Sequence, residues 1–290
     1  MGRPRVGFIG FGEVGSTFAR EMRARGAEVC CHDIVDKDPG EGIRFLPLRD
    51  LVERCDLILS TVGTHVAVEV AERTVPLLTP RNTYADMNST SASAKRSIAE
   101  IIRRSKADFI EGAILSAVGE AGAKAAILVA GERAEEFARR MNELGLINVR
   151  YFSPRIGEAS QVKMLRSIFS KGVECLLLEM LLAGRRAGVA EYLWKDIVDF
   201  MTKHSFQGIA ENWIKTHPGA CERRYHEMEQ VLETLEELAV EPVMTRGTTE
   251  FFKRSVGSGL RKHFERKPDN VWDVPDLLGG LVDERRPTGG

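Results

Sequence analysis

Arg5-Val-Gly-Phe-Ile-Gly10-Phe-Gly-Glu-Val-Gly15 stands near the N-terminus, a short apolar run leading directly into Gly10-x-Gly12-x-x-Gly15. A helical pattern then covers residues 16–25. Glycine at the first position allows a tight turn, at the second it lets a pyrophosphate approach the backbone, and at the third it permits close helix–strand packing. The unpaired N–H groups at the helix start carry the anion. A second strand pattern at 28–32 ends at Asp33, about 20 residues beyond the glycines, where a dinucleotide fingerprint places its ribose-binding acid. The candidate cofactor residues here are Gly10, Phe11, Gly12, Glu13, Val14, Gly15 and Asp33.

A carboxylate at Asp33 accepts hydrogen bonds from both ribose hydroxyls and repels a 2′-phosphate, so NAD is expected over NADP. Lys37 and Arg44 are near enough in sequence to offer a phosphate some charge, which keeps NADP open. Their other reading is solvated surface.

The remaining text extends this beginning into a fold. Strand patterns at 56–62, 83–87, 107–115, 125–130 and 149–152 alternate with helical ones at 65–78, 91–105 and 133–144. Such alternation predicts an α/β fold, an N-terminal Rossmann domain with a doubly wound parallel sheet, over residues 1–156. From 157 to 290 an all-α domain is expected, beginning with a long interdomain helix at 158–187 and continuing at 191–203, 220–240 and 242–255. The tail at 267–290, rich in Pro, Gly and charge, is expected to fray or to pack on a partner subunit.

With 290 residues, 43% of them hydrophobic, the chain has ample material for two cores. A net charge of −1 gives no electrostatic footprint for nucleic acid or an anionic membrane. No apolar run reaches membrane-spanning length and no signal-peptide pattern is present, so a cytoplasmic protein is expected. Cys30, Cys31, Cys55, Cys175 and Cys221 lack metal-ligand spacing and read as buried small hydrophobes. His204, His217, His226 and His263 are scattered, and no metal site is expected.

In the long helix, Lys163, Ser167, Ser170, Lys171 and Glu174 fall on one side at helical spacing among Val, Leu, Ile, Phe and Met. That stripe is either a solvated outer face or the lining of a cleft. In a cleft, desolvation and a second nearby cation would both lower the lysine's pKa, as proton exchange near neutral pH requires. Thr61, Val62 and Gly63 end a strand at the edge where such sheets bind ligands. Asn88 to Ser93 reads as a helix N-cap cluster, with Asn88 also a cofactor candidate. His65 reads as a helix start or as packing near the cofactor, in preference to an acid–base group.

Gly10-Phe-Gly-Glu-Val-Gly15, Asp86-Met-Asn-Ser-Thr90 and Gly157 through Lys163, in this order, resemble the β-hydroxyacid dehydrogenase superfamily, which includes 6-phosphogluconate and 3-hydroxyisobutyrate dehydrogenases. Glu111-Gly-Ala-Ile-Leu-Ser-Ala-Val118 and Lys163-Met-Leu-Arg-Ser167, with Lys171-Gly172, resemble a phosphogluconate-dehydrogenase-like subfamily whose C-terminal domain has no known function. The resemblance implies hydride transfer between a nicotinamide and the carbinol carbon of a small hydroxyacid, with Lys163 as general base in oxidation and general acid in reduction. It implies an acidic small-molecule substrate held by Ser89, Thr90, Ser116, Ser167 and Lys171, and a homodimer.

Two departures bear on the substrate. Ser167 stands where well-studied members carry asparagine, and Glu111 to Ala117 replaces the usual Asp-Ala-Pro-Val-Ser-Gly-Gly loop. The phosphogluconate-specific pattern after the lysine is absent, which argues against 6-phosphogluconate. An imine reductase on the same architecture, which commonly lacks the lysine, and a non-catalytic NAD(H)-binding sensor are the alternative readings.

Overall fold

The computed structural model describes residues 3–283. Its first half is a sheet of β1 (Arg5–Ile9), β2 (Glu28–His32), β3 (Ile43–Phe45), β4 (Leu57–Ser60), β5 (Thr83–Asp86), β6 (Asp108–Ile114), β7 (Ile127–Ala130) and β8 (Val149–Ser153), in the order β3-β2-β1-β4-β5-β6-β7-β8. All neighbours are parallel except β6 and β7. The strand order reverses between β1 and β4, and the crevice beyond their carboxyl ends is where such sheets take a ligand. Both the glycine turn and the segment at 61–64 emerge there.

Alternation along the strands fills both faces of the sheet. Val6, Phe8, Cys31, Leu57, Leu59 and Ala85 pack with Phe18 and Met22 of α1 (Glu13–Ala24) and with Phe137 and Met141 of α6 (Ala134–Glu143). Ile9, Cys30, Ile58 and Tyr84 pack on the other side with α2 (Leu48–Arg54), α3 (Ala67–Thr74) and α4 (Ala92–Arg103). Neighbouring Cys30 and Cys31 therefore join different cores. A short α5 (Val118–Ala121) lies between β6 and β7, and the chain doubles back through it to make the one antiparallel pair.

Several elements differ from the sequence expectation. Neither β3 nor α2 was foreseen, because a three-residue edge strand has no periodicity to read and α2 opens on Pro47 with no side-chain cap. The helix expected at 65–78 divides into a 3₁₀ turn at Thr64–Val66, α3, and a second 3₁₀ turn at Val75–Leu77. Pro76, with no N–H to donate, marks that second turn.

Contacts divide the chain into two compact units, Met1–Ile168 and Phe169–Gly290, and the division falls inside α7 (Glu158–Ala187). Gly188, at φ 74°, ends that helix in the left-handed conformation, with Val189 N–H donating back to Gly184 O at 2.8 Å. The second unit continues as α8 (Ala190–Lys203), α9 (Phe206–Glu237), α10 (Val243–Gly257) and α11 (Asp273–Asp283), with no strand among the described residues. A helix expected only from 220 starts at Phe206, capped by the Ser205 hydroxyl, and runs through the buried Pro218. Glu179 of α7, 8% exposed, accepts from Met244 N, Thr245 N and Thr245 Oγ1 at 2.6–2.8 Å and so caps α10. Cys175, on α7, corrects the reading of all five cysteines as buried: it is exposed. Of the tail expected to fray or to pack on a partner, 273–283 is helical and 284–290 lies outside the described residues.

Candidate active site

Two of the three glycines of the turn meet a steric constraint, and the third faces open space. Gly10 has φ 93°, and a Cβ there would stand 2.6 Å from Thr61 O. At Gly15 a Cβ would run into the Gly10 carbonyl. Around Gly12 the space is open, with nothing within 4 Å of where a Cβ would be. Thr61 Oγ1 donates to Gly10 O at 2.7 Å and holds the turn against the end of β4. Gly12 caps α1 without a side chain, so the first N–H groups of that helix are free to bind an anion.

Asp33 lies at the end of β2. Its carboxylate accepts from Phe11 N at 2.7 Å, Val35 N at 3.0 Å and Lys37 Nζ at 3.1 Å. Burial pushes this group up, but the two amides and Lys37 outweigh it and hold the carboxyl below its ordinary value. The open space at Gly12, the free helix start and the seated acid fit a nicotinamide dinucleotide. Gly10 to Gly15 would hold its pyrophosphate and Asp33 its adenosine ribose.

Beside the turn is a cavity of about 250 Å³ lined by Glu13, Val14, Thr61, Val62, Gly63, Thr64, Met87, Asn88, Ser89, Ile114, Ser116, Val118 and Lys163. Lys163, in the second turn of α7, is half-buried and donates from Nζ to Ser89 Oγ. Burial lowers its pKa from the ordinary lysine value, and the Lys95 cation lowers it further. Asn88 donates from Nδ2 to Ser60 Oγ at 3.0 Å, while its Oδ1, though buried, has no partner. The buried hydroxyl of Thr90 is likewise unpartnered. Ser116 accepts from Ala126 N at 3.2 Å, and Ser91, as expected for the N-cap cluster, caps α4.

Other candidates are not brought to this cavity. The Ser167 hydroxyl donates back to Lys163 O at 3.0 Å. Lys171 belongs to the second unit, exposed and paired with Glu174 at 3.4 Å. His65 is exposed on the 3₁₀ turn after Gly63. No group of His, Cys, Asp and Glu suited to a metal occurs among the described residues. A larger hollow of about 570 Å³, bounded by Arg96, Arg103, Asp108, Arg133 and Arg155, holds none of the candidate residues. Three of its cations are already paired, Arg103 with Glu100, Arg133 with Asp108 and Glu136, and Arg155 with Glu158.

A cluster that the sequence reading missed adjoins the cavity. Lys95 is fully buried and donates to Asp86 O at 2.7 Å and Gly112 O at 3.1 Å, with Asp86 Oδ2 at 3.2 Å. Glu111, also fully buried, accepts from Ser160 N at 2.6 Å and from Gly157 N, capping the start of α7. Signals for both were present. Lys95 shares a helical stripe with Ile98, Ala99 and Ile102, and Glu111 interrupts an apolar strand.

Residues 5–145 match the family described as the NAD binding domain of 6-phosphogluconate dehydrogenase, and residues 185–255 match a domain of unknown function, DUF1932. A solved structure of a conserved protein of unknown function, described as structurally similar to 3-hydroxyacid dehydrogenases, is 32% identical. The match covers 89% of this chain and 98% of that one, with a TM-score of 0.58. An uncharacterised 28.5 kDa protein of Methanothermus fervidus is 26% identical over 86% of this chain and 98% of its own length. An imine reductase from Myxococcus stipitatus, solved with NAD+, shares the fold at a TM-score of 0.75 and 17% identity, over 97% of this chain and 100% of that one. With an N-terminal unit that is an NAD-binding domain, the chain belongs to the β-hydroxyacid dehydrogenase superfamily, in the branch that joins a 6-phosphogluconate-dehydrogenase-type cofactor domain to DUF1932.

Proposed function

We propose that the protein is an NAD-dependent oxidoreductase that interconverts a small hydroxyacid and its oxo form, with Lys163 as the general acid/base. The observation that carries this reading is the Lys163 amine on Ser89, inside the cavity that also exposes the glycine turn and Thr61 to Thr64. Bound in the crevice, the nicotinamide supplies the hydride acceptor in oxidation and the donor in reduction. Neutral Lys163 takes the hydroxyl proton as the carbinol C–H bond breaks and C=O forms, and its ammonium returns that proton in reduction. Ser89 orients the amine. Asn88 and Ser89 line the cavity, and the start of α4 that follows them offers its dipole to an acidic substituent. Asp33, held by two backbone amides, favours NAD over NADP.

Exposed Leu178, Leu182, Tyr192, Trp194 and Phe200 support assigning residues 157–290 as the substrate and dimerisation half, with light scattering as the check. The free thiols at Cys30, Cys31, Cys55, Cys175 and Cys221 accord with a reducing cytoplasm.

The test is a screen of small 2- and 3-hydroxyacids, their phosphates and the matching semialdehydes, followed by absorbance of reduced nicotinamide with NAD and with NADP. Turnover of a hydroxyacid or its oxo partner with NAD supports the proposal. Turnover confined to cyclic imines would replace it with the reductase reading.

A further inference from the structure

Lys37 lies in the segment between β2 and β3 and is half-buried, while its neighbours Asp36 and Asp38 are exposed. Its Nζ donates to Asp33 Oδ2 at 3.1 Å and to Phe11 O at 3.3 Å, so one ammonium joins the acid that follows β2 to the glycine turn. A surface ion pair adds little to stability. This one stands where the dinucleotide fingerprint places the adenosine ribose. Of the three N–H donors on the ammonium, two are engaged among the described residues, and the third is left for a ligand.

The other cation that the sequence offers to a phosphate is held elsewhere. Arg44 of β3 is 3.6 Å from Glu28, which also pairs with Arg54. Glu28 opens β2 and Asp33 follows its last residue, a separation of about 16 Å along the strand. Lys37 is therefore the cation that bears on Asp33. Three donors, Phe11 N, Val35 N and Lys37 Nζ, keep the Asp33 carboxylate ionised. Alone, that charge repels a 2′-phosphate, which itself carries about −1.5 to −2 at pH 7. With Lys37 bonded to the same carboxylate, acid and ammonium together are neutral, and the remaining N–H offers a phosphate a charge-assisted hydrogen bond.

We propose that Lys37 is a specificity-determining residue for the cofactor: its ammonium offsets Asp33 toward a 2′-phosphate, so that the protein binds NADP(H) as well as NAD(H). Asp33 sets the direction of the preference, in favour of NAD, and Lys37 limits its size. This role rests on the crevice taking a nicotinamide dinucleotide, which the match to an NAD binding domain supports, and needs neither Lys163 nor an identified substrate.

The experiment is isothermal titration of NADH and NADPH into the full-length protein, comparing the parent with Lys37→Gln and Lys37→Arg, with circular dichroism to confirm folding. The parent should bind both cofactors, NADH up to about tenfold tighter. Lys37→Gln keeps a donor without the charge and should widen the NADH-to-NADPH affinity ratio about a further tenfold, while Lys37→Arg keeps the parental ratio. Added salt should weaken NADPH binding more in the parent than in Lys37→Gln, a difference that a merely structural lysine would not produce. Displacement of NADH from the parent by adenosine 2′,5′-bisphosphate and by AMP tests the same point without any variant, and the two should compete within about tenfold of each other. A ratio unchanged in Lys37→Gln, or AMP competing while the bisphosphate does not, would overturn the proposal. A folded parent that binds neither cofactor would overturn the dinucleotide reading and this role with it, whereas binding of both with an unchanged ratio strikes Lys37 alone.

Discussion

In Met1–Ile168 the large apolar side chains gather into buried clusters on the two faces of one sheet, whereas in Phe169–Gly290 Phe169, Leu182, Tyr192, Trp194 and Trp272 remain exposed. The two units share one device. Glu111 and Glu179 are buried carboxylates that each capture N–H groups at the start of a helix distant in sequence. What surrounds them differs. Glu111 neighbours Lys95 and Asp86 in a charged cluster beside a cavity, while Glu179 caps α10 and accepts from its threonine hydroxyl. The same capping interaction thus adjoins the proposed site in one unit and serves helix packing in the other.

The largest effect expected from this contrast is at Lys163. Lys163→Ala should lower turnover by about 10²–10⁴-fold, the usual value of positioned acid–base catalysis, and leave NAD(H) binding nearly unchanged. Steady-state kinetics with cofactor titration would check it, and equal rates would remove the chemistry from the first unit. Next comes Glu179→Ala, which orphans donors at Met244 and Thr245 and should destabilise the second unit by about 2–3 kcal/mol. Calorimetry should show that loss with cofactor affinity retained; a matching loss of NAD(H) binding would break the comparison. Smallest is Asp33→Ala, expected to weaken NAD about tenfold, roughly 1.4 kcal/mol, and NADP less, as read by isothermal titration. A loss confined to NADP would reverse the cofactor preference.

Much of the first unit was legible in the sequence because glycine spacing and strand alternation are local signals. Gly10 and Gly15 each answer to a constraint within a few residues or one strand away, and the alternation of Cys30 with Cys31 follows from the pleat alone. The gathering of Thr61, Val62, Gly63, Asn88, Ser89, Ser116 and Lys163 round one cavity followed the family resemblance more than any periodicity. Lys171 shows the limit of a helical stripe. It shares a side with Lys163 but lies eight residues on, about 12 Å along the axis, and pairs with Glu174. Lys95 escaped notice because a lysine in an amphipathic helix is solvated by default. Only its shared stripe with Ile98 and Ile102 marked it.

The central claim is that the half-buried Lys163 amine exchanges the substrate proton, and the pH dependence of kcat tests it most directly. Burial and Lys95 lower its pKa, so the neutral amine is present at lower pH than in a free lysine. With a hydroxyacid found in the screen, oxidation should rise with pH along a limb centred below the ordinary lysine value of 10.5 and level off above it. Reduction should fall through the same range, since it needs the ammonium. Lys163→Ala should lose that limb in both directions. An identical profile in parent and variant would contradict the account.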